Sequence, residues 1–180
     1  MKLGERGSSR RILLGLGLIA WCVGCDQGTK RIAVEHLKDQ EPIRLLNGIV
    51  QFLYAENTGA WGSLGAGWPS GLKIAVFMLL PLAVLGSVVV HMVRSETIST
   101  PHFIACALLV GGGVGNVIDR MLSGYVVDFM WVGVGRLATN IFNVADVAVV
   151  VGVILLLLPQ RASGGSSKTA PARATDNPSR

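Results

Sequence analysis

Charge is scarce in this chain: 15% of its 180 residues are charged, 51% are hydrophobic, and the mean hydropathy is +0.53. That balance lies far from soluble globular averages and makes the membrane the first class to test. Cysteine is equally sparse. Three residues are too few for a disulfide framework; Cys22 and Cys25 sit three apart in an apolar run and Cys106 stands alone, so they read as small buried hydrophobes. No second Cys or His pair has the spacing of a metal site. No internal repeat is evident, and from Ser163 onward large apolar side chains are missing altogether, which predicts a disordered cytoplasmic tail over 161–180.

Long uncharged runs are what the chain does have. A span needs about 20 mostly apolar residues to cross roughly 30 Å of hydrocarbon. Four stretches qualify, at about 12–29, 72–93, 100–119 and 138–158, the last interrupted by Asp146 alone. The predicted fold is an all-α membrane protein of four transmembrane helices, with a single embedded domain over 1–160.

The excess of basic residues is not spread as a nucleic-acid surface would need. The N-terminal tail, the loop with Arg94 and the C-terminal tail hold nine bases against three acids, a net of +6. The other side holds seven bases and eight acids, a net of −1. The positive-inside rule then places both termini in the cytoplasm and excludes nucleic acid as the reason for the charge. The basic start and the apolar run ending at Cys25 have features of a secretory signal, but three later spans argue against a soluble, cleaved product.

Asp26 and Lys30 close the first span, four apart and so on one helix face. They fit either a solvated interfacial helix end or one wall of an outer site. The outer segment, 31–70, has short alternations at Ile43-Arg44-Leu45 and Ile49 to Tyr54 about an Asn47-Gly48 turn signal, predicting a small extracytoplasmic sheet between the first two spans. Glu56 to Gly62, with Asn57 and Gly59, reads as a plain loop or a substrate-binding one, and Trp61 and Trp68 as interfacial anchors. The second span shows no polar constellation and reads as a packing helix, with His91 and His102 interfacial. Gly111, Gly112, Gly113 and Gly115 in the third span mark a close helix contact. They are not a phosphate loop, since no Lys-Ser or Lys-Thr follows.

Asn116 to Asp146 concentrates the remaining polar chemistry. Ionisable groups this close to membrane-spanning sequence are expensive unless paired or solvated, which makes them a functional-site hypothesis. Asn116, Asp119 and Arg120 fall at i, i+3 and i+4 on one face, with Arg120 as the natural partner of Asp119. Asn143 and Asp146, three apart, point inward from the outer part of the fourth span, toward the segment carrying Asp128. Two carboxylates held close share one proton, which supplies a base to activate water and an acid to protonate a departing amine. On spacing alone, a catalytic pair, a proton-relay or transport role and a structural role all stand.

The combination of motifs narrows these. Asp26-Gln27-Gly28-Thr29-Lys30, Glu56-Asn57-Thr58-Gly59-Ala60, Gly115 to Arg120 with Val127-Asp128-Phe129, and Phe142-Asn143-Val144-Ala145-Asp146 occur in this order relative to the spans. Over roughly Arg11 to Leu158 the chain resembles the lipoprotein signal peptidase (signal peptidase II) family. The resemblance implies a membrane aspartic endopeptidase without cofactor. It would cut on the N-terminal side of the lipid-modified cysteine of diacylglyceryl-modified prolipoproteins, with Asp128 and Asp146 as the dyad. It implies supporting roles for Asn116, Arg120 and Asn143, and site-shaping or substrate contacts for Asp26, Lys30, Asn57 and Gly59. Asp119 is assigned to support on its pairing. The implied setting is the bacterial cytoplasmic (inner) membrane, with the site near the outer surface, lipids and prolipoproteins as partners, and a monomer. Two positions depart from the pattern: Val147, where many relatives have Ser, and Trp61-Gly62, where many have a small residue followed by an aromatic one. They leave the dyad untouched and put in doubt only details of substrate contact. The segment from Ala33 to Trp68 is expected to lie over the site as a clamp.

Overall fold

Residues 3–59, 64–95 and 98–158 are described in the computed structural model, with side chains from residue 10 onward. The elements run α1 (Leu3–Leu37), β1 (Ile43–Leu45), β2 (Val50–Asn57), α2 (Ser70–Ile74), a π turn (Ala75–Leu79), α3 (Leu80–Arg94), α4 (Thr100–Ser123), β3 (Val126–Val134), β4 (Leu137–Ala138) and α5 (Val144–Leu157). The fold is mostly helical with one small antiparallel sheet. Three helical runs among the described residues, Arg10–Leu37, Ser70–Arg94 and Thr100–Ser123, are long and apolar enough to cross a membrane; α5 is apolar but shorter.

The helix α4 is the centre of the bundle and packs against α1, α3 and α5. Its glycines make this possible. A methyl group at Gly112 would run into the carbonyl oxygen of Ala145, and one at Gly111 would lie 2.5 Å from Cys22 Cβ, so the expected close contact is real and involves two neighbours. The side chains of Met92, Phe103, Cys106, Ala107 and Val110 form the core at the end of the bundle where α4 starts. Cys22 and Cys106 are buried free thiols, in line with their reading as small hydrophobes.

The stretch α2 to α3 is one continuous rod with a π turn in it. Pro81 has no N–H to give to the preceding turn and its ring crowds that turn's carbonyl, and the widened turn at Ala75–Leu79 accommodates both. Ser99 caps α4 by accepting from the His102 N–H, and Gly124, at φ 81°, ends it in the left-handed conformation that glycine adopts without a steric penalty.

The sheet order is β1-β2-β3-β4, every pair antiparallel. The expected hairpin is present: β1 and β2 are joined by a 3-10 turn over Leu46–Gly48, in which Asn47 and Gly48 have φ of 56° and 87°. In β2 and β3, Ala55 pairs with Asp128 and Asn57 with Val126, beyond a bulge between Phe52 and Ala55.

Three expectations are corrected. First, α1 does not close at Lys30 but continues to Leu37. Its last turns bury Ala33 and Leu37 against Phe129, with Phe52 and Tyr54 alongside, so the sheet supplies the apolar surface that keeps the helix going. Second, the sheet is not confined to the segment between the first two spans: residues 126–134 form β3 and pair with β2. Third, the helix expected from 138 begins only at Val144. Residues 139–142 are spent alongside β3: the Thr139 N–H donates to the Val132 carbonyl, and Phe142 and Met130 exchange backbone bonds. Fourteen helical residues reach about 21 Å, less than the thickness of a bilayer core. Ala60 to Ser63, which include the Trp61-Gly62 departure, and residues 159–180, the expected tail, lie outside the described residues.

Candidate active site

Five stretches distant in sequence bring all ten expected site residues into one hydrogen-bonded system. It is built around two asparagines. Asn143 is the N-cap of α5: its Oδ1 accepts from the Asp146 N–H at 2.9 Å while its own N–H donates to Asp146 Oδ2 at 3.1 Å, a capping box that locks the carboxylate to the helix start. The same side chain donates through Nδ2 to Asp128 Oδ1 at 2.7 Å. One fully buried residue thus holds both aspartates.

Asn116, on α4, holds the second oxygen of Asp146, donating from Nδ2 to Oδ1 at 2.8 Å, and accepts from Asn143 Nδ2 at 3.1 Å. Asn57, at the end of β2, donates to the second oxygen of Asp128 at 3.0 Å and accepts the Gly59 N–H at 3.1 Å. Each oxygen of the two carboxylates therefore has an N–H donor. Asp128, Asp146, Asn57, Asn116 and Arg120 line a cavity of about 270 Å³, whose remaining wall is Val126, Ile141 and Val150. A polar groove of about 470 Å³ on the sheet, lined in part by Gln51, Trp131, Thr139 and Asn140, meets it at Asn57, Asp128 and Ile141.

Beneath the cavity lies a buried ion cluster. Lys30 Nζ directs its three donors to Asp26 Oδ2 at 2.7 Å, Asp119 Oδ2 at 2.9 Å and Asn116 Oδ1 at 2.9 Å. Asp26, 1% exposed, also accepts the Ala145 N–H at 2.9 Å, fastening α1 to the start of α5. Asp119 further accepts from Gln27 Nε2 at 2.7 Å and from the Val127 N–H at 3.1 Å, which seats β3 next to Asp128. The expected Asp119–Arg120 pair is not what forms. Successive helix positions point about 100° apart, and Arg120 turns instead to the carbonyls of Gly59 at 2.8 Å and Asn116 at 3.4 Å. Its guanidinium lies 5.8 Å from the centre of the Phe77 ring.

Asp26 and Lys30 are thus a buried pair rather than a solvated helix end. Gly115 lies against them because a methyl group there would be 2.6 Å from Asp26 Oδ2. Of the expected loop, Glu56 and Asn57 end β2, Asn57 lines the cavity, and the Gly59 carbonyl is held by Arg120. Gln27 was not singled out in the sequence, although it sits in the Asp26–Lys30 motif, and the backbone N–H groups of Val127 and Ala145 leave no mark in a sequence at all.

The two aspartates differ in their surroundings. Asp128 is 4% exposed, and burial pushes its carboxyl up to about 6. The hydrogen bonds of Asn57 and Asn143 and the charge of Lys30 oppose the rise, and the neighbouring charge of Asp146 adds to it. Asp146 is half-buried at the helix start.

The chain resembles proteins of one kind throughout. The family described as Signal peptidase (SPase) II matches residues 18–160. A lipoprotein signal peptidase of Chlorobium luteolum is 38% identical over 151 residues, covering 78% of this chain and 87% of that one. One from Azoarcus sp. is 33% identical over 99% of this chain and 98% of its own length. Among solved structures, a bacterial membrane enzyme determined by the in meso method at 2.3 Å superposes with a TM-score of 0.71 at 28% identity, covering 81% of this chain and 85% of that one.

Proposed function

The chain belongs to the signal peptidase II family, a family of proteases whose apolar helices fit a multi-pass membrane protein, and from this and the site's geometry we propose that it removes signal peptides from diacylglyceryl-modified prolipoproteins by an aspartic mechanism. The observation that carries the mechanism is that Asp128 and Asp146 line one cavity and are both held by Asn143. Asp146, at the start of α5, takes a proton from a water in the cavity as the water oxygen attacks the scissile carbonyl carbon. Asp128, which holds the proton shared by the pair, gives it to the carbonyl oxygen. Collapse of the tetrahedral diol breaks the C–N bond: one diol hydroxyl returns its proton to Asp128 as the carbonyl re-forms, and the proton that Asp146 took from water goes to the amine of the lipid-modified cysteine. No step requires a cofactor.

Asn116 and Asn143 orient the carboxylates, Arg120 and Gly59 hold the β2 end over the cavity, and Asp26, Lys30 and Asp119 are the support below. The segment 31–70 clamps the substrate through Asn57. The protein works as a monomer in the bacterial inner membrane, with both termini cytoplasmic and the site near the outer surface. The charge asymmetry of the sequence supports this orientation, and a lipid-anchored substrate presents its scissile bond at that depth. The test is cleavage of a diacylglyceryl-modified precursor by the purified protein with a metal chelator present, against the unlipidated precursor as control. Equal cleavage of both, or none of either, would contradict the substrate assignment.

A further inference from the structure

A cavity of about 530 Å³ lies at the other end of the bundle, where α1 begins and α4 begins. It is lined by Arg10, Arg11, Leu14, Leu18, Phe103 and Ile104, with Thr100 at its edge. Sixteen residues of helix separate Arg10 from Asp26, about 24 Å, so this cavity has no part in the site above.

Its chemistry is divided. One end carries two guanidinium groups and, among the described residues, no acidic residue, and the rest is aliphatic and aromatic. Arg11 is fixed in place: Nη2 donates to the Ile98 carbonyl at 2.6 Å, and the guanidinium lies 4.8 Å from the centre of the Phe103 ring. That ring packs closely on α1 because residue 15 is glycine; a methyl group there would be 2.7 Å from it. Arg10 is exposed and makes no hydrogen bond or ion pair among the described residues. The first turn of the 24-residue α4 adds its partial positive charge at Thr100.

A free anion would use the arginines and leave the apolar wall idle, and a neutral lipid would do the reverse. A zwitterionic headgroup would bring a cation against two arginines, with no carboxylate among the described lining residues to receive it. We propose that this cavity holds an anionic phospholipid, with its phosphodiester at Arg10 and Arg11 and an acyl chain along Leu14, Leu18 and Ile104. Basic pockets between membrane helices suit such headgroups, and each basic residue near the surface contributes enough to change affinity about fivefold.

The test uses the full-length protein in nanodiscs containing equal phosphatidylglycerol and phosphatidylcholine, with the lipids retained on release counted by native mass spectrometry. The wild type is expected to retain phosphatidylglycerol preferentially. Arg10→Gln should lower that retention about fivefold, Arg10→Lys should preserve most of it, and Leu14→Trp, which fills the chain slot without changing charge, should lower it too. Thermal melting confirms that each variant is folded, and Arg11 is left intact because it also ties α1 to Ile98. Equal retention of the two lipids by the wild type would overturn the proposal, as would indifference to Arg10→Gln. Displacement of the lipid by millimolar inorganic phosphate would overturn it as well, since it would reveal a simple anion site.

Discussion

Lys30 of α1 and Asn116 of α4 are joined by a 2.9 Å hydrogen bond, and the amide nitrogen of that same asparagine reaches Asp146 at 2.8 Å. A buried ammonium is thereby connected to the proposed dyad through one side chain. Its other two donors pair with Asp26 and Asp119, so the charge serves stability and site geometry together.

Lys30→Met should therefore be severe. Removing one partner from a buried ion cluster leaves the others uncompensated and typically costs about 3–5 kcal/mol. Lys30→Arg should not rescue it, because a planar fork cannot replace three donors diverging from one nitrogen. Thermal unfolding in detergent checks both. The triple variant Asp26→Asn, Lys30→Met, Asp119→Asn should recover part of the loss, and no recovery would show that charge balance is not the cause.

Asn143→Ala tests the bridge between the aspartates. Loss of the helix cap should cost about 1 kcal/mol, whereas kcat should fall at least about a hundredfold, because both carboxylates lose a positioning donor at once. A kcat near that of the wild type in a folded Asn143→Ala protein would remove Asn143 from the mechanism.

The close contact of α4 and α5 predicts that Gly112→Ala is poorly tolerated, since the obstacle is the backbone carbonyl of Ala145 rather than a flexible side chain. Overpacking of this kind costs about 1–3 kcal/mol. Gly124→Ala should also destabilise, for a different reason: its φ of 81° penalises any side chain. Gly86→Ala, inside α3 with nothing within 4 Å, should keep or slightly raise the melting temperature and serves as the control.

Much of this arrangement was legible in the sequence, but unevenly. Asp26 and Lys30 were placed on one face by their spacing of four, and the glycines of α4 announced a helix contact. What remained hidden depended on partners from elsewhere in the chain. The three-residue spacing of Asn143 and Asp146 reads equally well as mid-helix or as a cap, and only the pairing of residues 139–142 with β3 makes it a cap. Asp119 and Arg120 are neighbours of opposite charge, yet Lys30, 89 positions away, takes the carboxylate. The strand around Asp128 was masked because its apolar residues fit an interfacial segment as well as a buried strand. Only the opposite edge, β2, distinguishes the two.

The raised pKa of Asp128 has a definite sign in stability. A carboxyl whose folded pKa is about 6 binds a proton on folding. Its contribution is fully present below the unfolded value of about 4 and is lost as pH rises through about 6. The stability of the wild type relative to Asp128→Asn should accordingly decline between pH 4 and 7, by on the order of 3 kcal/mol. Chemical denaturation of both proteins across that range gives the difference. A flat or rising difference would place Asp128 in a less desolvated site than the structure does.

The central claim is that Asp128 and Asp146 act as one catalytic unit, and single-turnover cleavage of a diacylglyceryl-modified precursor measures it most directly. Asp128→Asn, Asp146→Asn and the double variant should each be folded, should each still bind the precursor, and should each show no turnover above background, the double being no worse than either single. Retained cleavage by either single variant in folded form would contradict the account.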